Sequence, residues 1–71
     1  MAEEQVVRVT DLELEDGWKY SGPMLRGLPE GQGLEVGPQG EEFNGIFKKG
    51  KKCGYGVYKF ANKSVYRGHF R

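Results

Sequence analysis

Residues 43–60 read Phe-Asn-Gly-Ile-Phe-Lys-Lys-Gly-Lys-Lys-Cys-Gly-Tyr-Gly-Val-Tyr-Lys-Phe, and this stretch decides the fold. Its frame of rings and glycines recurs every 23 residues, the interval from Tyr20 to Phe43 and from Phe43 to Tyr66. The equivalent columns are Tyr20, Phe43 and Tyr66; Gly22, Gly45 and Gly68; Met24, Phe47 and Phe70; Gly27 and Gly50; Gly31 and Gly54; Gly33 and Gly56. A fixed period shared by this many columns indicates a repeat protein.

The alternation of rings and glycines predicts strands. Phe43, Gly45 and Phe47 would share one face of a strand, with a gap between two rings. We expect a ring from the neighbouring strand to cover that gap. The remaining repeated glycines fall where one hairpin passes to the next, where positive φ or close approach favours glycine. The glycines interpreted as structural are Gly22, Gly27, Gly31, Gly33, Gly45, Gly50, Gly54, Gly56 and Gly68.

Six strands are predicted, and no window has the period of a helix. They cover residues 6–14, 18–25, 34–36, 42–48, 55–60 and 64–70, with loops at 26–33 and 49–54 and a tight turn at 15–17. The predicted fold class is all-β, a single twisted antiparallel meander of stacked β-hairpins that is open-ended.

This frame resembles the MORN (membrane occupation and recognition nexus) repeat, Tyr-x-Gly-x-Phe-x-x-Gly-x-x-x-Gly-x-Gly. Phe43 stands in place of the Tyr in the central repeat, and Met24 stands in place of the Phe in the preceding one. The resemblance covers residues 17–71. It implies a sheet of stacked hairpins that serves as a scaffold, as a tether at membrane junctions or as an accessory module on enzymes.

The domain organisation follows from the same frame. Residues 1–5 are predicted to be a disordered N-terminus, and residues 6–71 to be one MORN-repeat module. Within it we expect a degenerate cap hairpin at 6–25, repeats near 17–39 and 40–62, and a partial repeat at 63–71. Because the last frame stops midway, we expect either a piece of a longer array or an edge covered by another chain.

The composition and charge of the chain indicate its expected cellular location. A single cysteine, Cys53, excludes an internal disulfide and favours a cytoplasmic location. There is neither an apolar stretch long enough for a membrane-spanning helix nor a signal-peptide pattern at the N-terminus. The net charge of +1 is unevenly distributed, because residues 1–16 hold six acidic side chains against one basic and residues 43–71 hold eight basic and no acidic ones.

The sequence offers little for catalysis, metals or cofactors. His69 is the only histidine, and Cys53 has no evident base partner. One histidine and one cysteine do not supply the four ligands of a closed zinc site. The Gly-x-Gly pairs at 31–33 and 54–56 do not open a helix after a strand, so a phosphate loop is not predicted. We therefore predict no catalytic residues, no metal and no cofactor.

A basic cluster at 48–52 is one candidate binding site. Several cations together attract anionic headgroups at about 1 kcal/mol each, so anionic phospholipid is a candidate ligand. The alternative is that the lysines only solubilise a hairpin tip and protect an edge. Nucleic acid is disfavoured because the acidic N-terminal segment would repel it. The candidate lipid contacts are Lys48, Lys49, Lys51 and Lys52.

The ring columns are the second candidate site. They line one face of a sheet that this chain does not cover with a second layer, and uncovered apolar area on a small domain often binds a partner. A peptide, a helix or a second copy of the chain would fit there. Alternatively, the rings cover one another. The predicted partner-binding residues are Trp18, Tyr20, Phe43, Phe47, Tyr66 and Phe70.

These features predict a non-enzymatic scaffold module that holds a protein partner near a membrane or the cytoskeleton. Two alternatives remain open. One is a tether that binds anionic phospholipid through the basic cluster, and the other is an accessory domain of a larger enzyme.

Overall fold

The computed structural model describes residues 5–70, which form one antiparallel sheet of seven strands. The strands are β1 (Val6–Glu13), β2 (Lys19–Leu25), β3 (Leu28–Pro29), β4 (Gly31–Val36), β5 (Glu42–Lys48), β6 (Lys51–Lys59) and β7 (Val65–Phe70), with a 3-10 turn at Glu15–Gly17. Their order is β1-β2-β4-β5-β6-β7, and β3 pairs with β2 beside β4. The predicted all-β meander is confirmed. The predicted disorder of residues 1–5 lies almost wholly outside the described residues, as does Arg71.

Two of the predicted loops are wrong. Residues 26–33 and 49–54 contain only two-residue turns, Arg26-Gly27 and Lys49-Gly50, after which the chain returns at once as β3 and β6. All four turn residues have positive φ, between 53° and 83°. This is the backbone of a type I′ turn, whose twist matches that of the flanking strands, so pairing continues to the hairpin tip.

The structure has a seventh strand because a backbone irregularity divides residues 28–36 into the two strands β3 and β4. β3 and β4 together occupy the place in the first repeat that β6 occupies in the second. In β6 the pairing with β5 shifts between Gly45 opposite Gly56 and Ile46 opposite Cys53. Gly54 and its equivalent Gly31 lie at this irregularity with φ of 72° and 95°. Glycine is therefore required there by backbone conformation.

The opposite end of the sheet carries a turn that occurs three times at the repeat interval. The amides of Leu14, Gly37 and Phe60 donate to the carbonyls of Trp18, Glu41 and Ser64, at 2.6, 2.8 and 2.8 Å. The residue before each acceptor has positive φ, and these residues are Gly17, Gly40 and Lys63. The third repeat thus places a lysine where the first two place glycine.

The core is a row of rings on one face of the sheet, here called the front face. Tyr20 and Phe43 are 0% exposed and Phe47 is 1% exposed. Phe47 lies edge-on between Tyr20 and Phe43, at centroid distances of 5.1 and 5.3 Å. Phe70 lies in the same way between Phe43 and Tyr66, at 4.8 and 5.4 Å. We call this row Tyr20–Phe47–Phe43–Phe70–Tyr66 the ring ladder.

The rings that cover the glycine gaps do not come from the neighbouring strand alone, as the sequence predicts. The Tyr20 ring lies over Gly22 of its own strand and also over Gly33 of the neighbouring strand, and Phe43 lies likewise over Gly45 and Gly56. A β-carbon at Gly33 would stand 2.5 Å from the Tyr20 hydroxyl oxygen. One ring therefore covers a pair of glycines on two adjacent strands, because a side chain leans along its own strand while it spans to the next.

Candidate functional site

The six predicted partner-binding aromatics fall into two groups. Tyr20, Phe43 and Phe47 lie in the interior of the ring ladder and have no surface to offer a partner. Trp18 and Phe70 are half-buried, and Tyr66 is 47% exposed. The alternative interpretation, in which the rings cover one another, describes the buried three. Only the β7 end of the ladder presents a ring to solvent.

The basic cluster is also divided. Lys52 folds back onto the front face, where its ammonium lies 2.9 Å from a Glu35 carboxylate oxygen. The same ammonium is 5.3 Å from the ring centroid of Phe43, within the range of a cation–π contact. Lys48, Lys49 and Lys51 are exposed. Lys52 is thus occupied inside the fold, and three of the four predicted lysines remain accessible to a ligand.

Two hairpin tips lie side by side at this end of the module. The Gly50 amide donates to the Pro29 carbonyl at 3.0 Å, and the Lys49 amide donates to the Glu30 carboxylate at 2.9 Å. Leu28, 46% exposed, lies between the tips beside Arg26. Sequence reasoning missed Arg26 and Leu28, although the 23-residue period places Arg26-Gly27 at the position of Lys49-Gly50. We call Arg26, Lys48, Lys49 and Lys51 the basic hairpin end.

The sheet face opposite the ring ladder, here called the back face, holds two depressions. The larger, about 450 Å³, lies over Gly45 and Gly56 and is bordered by Tyr55 and Arg67. The smaller, about 380 Å³, lies over Gly22 and Gly33 and is bordered by Arg8, Ser21 and Leu34. Sequence reasoning attended to the ring columns and missed this face. The residues that alternate with the rings along each strand lie on this face, and their pattern is the sequence signal that could have indicated it.

Burial shapes the electrostatics of the core. Burial raises the pKa of the Tyr20 hydroxyl above its ordinary value, more than the Glu30 backbone amide and the Arg8 charge lower it. The neutral hydroxyl donates to the Pro23 carbonyl at 2.7 Å.

Within residues 5–70 no cluster of His, Cys, Asp or Glu side chains could hold a metal ion. The same residues contain no helix of the length and apolarity needed to cross a bilayer.

The fold and the repeated ring–glycine columns define a β-hairpin repeat module of the binding type. The family model of the MORN repeat matches residues 20–42 and 43–65, so the chain belongs to the MORN repeat family. Both matches begin at a ring of the first column, three residues after the starts predicted from the sequence. The resemblance stated on the sequence is confirmed.

Two groups of longer relatives are similar to the chain. Alsin from Homo sapiens and Alsin from Rattus norvegicus are each 37% identical over 65 residues, which is 84% of this chain and 4% of the relative. The ALS2 C-terminal-like protein from Homo sapiens is 31% identical over 65 residues, which is 84% of this chain and 7% of the relative. The chain spans less than a tenth of these curated relatives.

Proposed function

We propose that this chain is a non-enzymatic module that holds a protein partner in the cytoplasm, near a membrane or the cytoskeleton. The observation that carries the proposal is the exposure of Tyr66. Its equivalents Tyr20 and Phe43 are 0% exposed, whereas Tyr66 is 47% exposed. The difference arises at the β7 edge. Phe43 has a ring on each side, Phe47 and Phe70, and Tyr20 packs against Phe47 within the core cluster, whereas Tyr66 contacts only the ring of Phe70 among residues 5–70.

An extended strand of a partner fits this edge. β7 is the last strand of the sheet and pairs only with β6 among the described strands. Val65 and Phe60 beside it are 48% and 45% exposed, so the edge combines unpaired backbone groups with an apolar border. Strand addition uses both features, since backbone hydrogen bonds supply affinity and side-chain pockets supply specificity.

Quantitative affinity capture tests this proposal. The full chain is compared with Tyr66→Ser and with a control at the opposite edge, Val7→Ser, whose side chain is 55% exposed. We expect proteins captured by the wild type and by the control to fall about tenfold with Tyr66→Ser, as for an aromatic hot spot. Equal capture by a folded Tyr66→Ser variant would remove the proposal.

A second candidate function is binding of anionic phospholipid at the basic hairpin end. The supporting observation is Leu28, an exposed apolar side chain in a recess of about 390 Å³ that Arg26 and Lys49 also line, together with Leu25 and one carboxylate, that of Glu30. A leucine among cations suits a membrane surface, because the chain enters the interface while the cations meet headgroups. Lys52 is left out of this version, since it is paired with Glu35.

Liposome sedimentation with and without phosphoinositide tests the second candidate. The variant carries Lys48→Glu, Lys49→Glu and Lys51→Glu, and the control is Lys63→Glu in the turn at the other end of the sheet. We expect the triple variant to lose phosphoinositide-dependent sedimentation and the control to keep it. Recovery of the wild type in the supernatant with both vesicle types would exclude lipid binding.

We also propose that the module is one domain of a larger protein, and an accessory role beside an enzyme domain remains the other alternative. The support is that the relatives match over only 4% to 7% of their own length. An immunoblot of the endogenous protein tests this. A single band near the 8.0 kDa of this chain would contradict it.

A further inference from the structure

A row of paired residues crosses the whole sheet and ends in a partly exposed apolar side chain at each edge. Neighbours in the row are Cα partners on adjacent strands, and its members are Leu12, Tyr20, Glu35, Phe43, Tyr58 and Tyr66. Leu12 is 37% exposed and Tyr66 is 47% exposed. Each inner member has a partner on both sides, whereas these two have a partner on one side only among the described strands. The row could therefore continue from Tyr66 of one copy to Leu12 of another.

The directions of the two edge strands suit such a continuation. All pairs along the order β1-β2-β4-β5-β6-β7 are antiparallel, so β1 and β7 run in opposite directions. The β1 strand of a second copy can thus pair antiparallel with β7 and extend the meander. Because residues directly opposite each other point to the same face, pairing of Tyr66 with Leu12 keeps the front faces of both copies on one side of the extended sheet.

The extended sheet would also continue the ring ladder. Phe47 packs against Tyr20 from two strands away, at a centroid distance of 5.1 Å. Met24 belongs to the same column as Phe47, and in the extended sheet β2 of the second copy lies two strands from β7. Met24 of that copy would therefore reach the Tyr66 ring, and contacts between a thioether sulfur and a ring are favourable. Strand addition at β7 would thus cover the half-exposed ring.

The two edges of the sheet carry opposite charge. Residues 6–16 hold four acidic side chains against one basic, and residues 60–70 hold two basic and no acidic ones. Contact between a β7 edge and a β1 edge is therefore attractive. Contact between two β7 edges or two β1 edges brings like charges together. A head-to-tail contact is thus favoured over a two-fold symmetric dimer.

The register brings individual charges together as well. Arg67 ends a row of Cα partners whose members are Ser21, Leu34, Asn44, Val57 and Arg67. The Asp11 amide donates to the Ser21 hydroxyl oxygen at 3.0 Å, so Asp11 lies at the other end of this row. Arg67 of one copy would lie opposite Asp11 of the next and diagonal to Glu13. All three residues are exposed, and none takes part in the ion pairs of Lys52 and Lys59.

A neighbouring row shows that this register continues a charge pattern already present in one copy. Its members, again Cα partners, are Glu13, Lys19, Val36, Glu42, Lys59 and Val65. The order acid, base, valine occurs twice in this row. Pairing of Val65 with Glu13 of the next copy would begin the order again, and it would reproduce the pairing of Val36 with Glu42. The junction would therefore resemble the interior of the sheet.

The β-bulge of β1 is compatible with a second neighbour. Pairing of β1 with β2 shifts between Val9 and Leu12, and bulges can protect an edge from pairing. β6 has a comparable irregularity where it pairs with β5, and it still pairs with β7 without interruption from Gly54 to Lys59. A strand of this sheet that is irregular along one edge can thus pair along the other.

We propose that the partner at the β7 edge is the β1 edge of a second copy of this chain, so that copies join head to tail in one continuous sheet. This inference rests on the proposed function, in which the β7 edge holds a protein partner, and it names that partner. Each added copy leaves one β7 edge and one β1 edge free. Such a contact does not close on itself, so assemblies lengthen as concentration rises.

Sedimentation equilibrium of the full chain from micromolar to millimolar concentration tests the inference. We expect the weight-average mass to rise from the 8.0 kDa of one chain to beyond that of a dimer, because the contact does not close. Added salt should reduce the association, since it screens the charges of the two edges.

Two charge reversals on opposite edges assign the contact. Arg67→Glu alters the β7 edge and Glu13→Arg alters the β1 edge, and each alone should weaken association at least about tenfold. An equimolar mixture of the two variants should recover it, because the unaltered β1 edge of the first meets the unaltered β7 edge of the second. Lys48→Glu, on the inner strand β5, is the control and should stay within about twofold of the wild type. Thermal unfolding verifies that each variant is folded.

Three results would overturn the inference. They are a wild type that stays monomeric at millimolar concentration, a mixture that associates no more than its folded components, and stronger self-association of Arg67→Glu, which a contact between two β7 edges would produce. A monomeric wild type with intact Tyr66-dependent capture of other proteins would overturn only the inference. Assembly that the mixture restores, together with capture that does not depend on Tyr66, would overturn only the capture of other proteins at this edge.

Discussion

The ammonium of Lys52 lies 2.9 Å from a carboxylate oxygen of Glu35, above the rings of the front face. The pair joins β4 to β6 across the intervening β5. The Glu35 side chain is 13% exposed and that of Lys52 is 32% exposed, so water screens the pair only in part. The Lys52 stem also covers apolar surface, as long basic side chains commonly do. Lys52, which the sequence places in a cluster of exposed lysines, therefore covers part of the core.

The first prediction concerns the cover that Lys52 provides to the core. Lys52→Ala should destabilise the fold by about 2 kcal/mol, because the variant uncovers the rings of Phe43 and Phe47 and leaves Glu35 unpaired. Lys52→Met should cost less, since it retains the apolar stem. Urea unfolding measures both free energies. Lys51→Ala, which removes an exposed lysine from the same strand, serves as the control and should change stability by less than about 0.5 kcal/mol.

A double-mutant cycle isolates the ion pair itself. Lys52→Met and Glu35→Gln, singly and together, should yield a coupling free energy of about 1 kcal/mol at low salt, decreasing as salt is added. A coupling indistinguishable from zero at low salt would mean that the Lys52 stem, and not its charge, is the stabilising part.

The second prediction concerns the glycines beneath the rings. A β-carbon at Gly56 would lie 2.6 Å from Cε1 of Phe43, a ring that Phe47 and Phe70 hold on either side. Gly56→Ala should therefore destabilise the fold by about 3 kcal/mol through overpacking. The matched control is Gly27→Ala, where φ is +78° and nothing lies within 4 Å of the added carbon. It should cost only about 1 kcal/mol of backbone strain. Equal urea midpoints for the two variants would contradict the overpacking mechanism.

The third prediction is a stabilising substitution. Lys63 has φ of 74° in the turn where Gly17 and Gly40 hold φ of 80° and 87°. Lys63→Gly should raise the free energy of unfolding by about 0.5 kcal/mol, because relief of left-handed strain exceeds the added freedom of the unfolded chain. Asn62→Gly, one residue earlier, should instead destabilise, since the Asn62 side chain accepts hydrogen bonds from Ser64. A lower melting temperature for Lys63→Gly would contradict the assignment of strain.

The fourth prediction concerns alkaline pH. Burial raises the pKa of Tyr20, so the unfolded chain, whose tyrosines ionise near pH 10, releases this proton before the folded chain does. The stability that Tyr20 contributes is complete below about pH 10 and is lost as pH rises through the folded pKa. Tyr20→Phe should lose about 1 kcal/mol at neutral pH with its hydrogen bond to Pro23, and its stability should then fall less steeply above pH 10.

The wild-type protein is the reference for this experiment. Denaturant titrations at pH 8 to 11 provide the slopes. Identical slopes for Tyr20→Phe and the wild type would show that the Tyr20 proton is not linked to folding.

The repeat frame could be predicted from the sequence because its determinants are local. Residues two apart share a strand face, and positive φ favours glycine, so the spacing of Phe43, Gly45 and Gly50 already implies strand, gap and turn. The extent of the hairpins could not be predicted in the same way. Arg26 and Lys49 adopt positive φ although they are not glycine. Pairing of the flanking strands stabilises that conformation, which residue type and spacing alone do not indicate.

The sequence by itself determined the period of 23 residues, the all-β meander and the family, since these depend on residue type and spacing alone. Only the tertiary structure decided which rings are buried and where depressions form. It also decided that Lys52 pairs with Glu35 on the front face instead of facing solvent. Tyr20 and Tyr66 occupy the same column, yet one is 0% and the other 47% exposed. The physical reason is that burial depends on what the neighbouring strands bring to a position. Phe43 has a ring on each side, whereas Tyr66 contacts the single ring of Phe70 within residues 5–70.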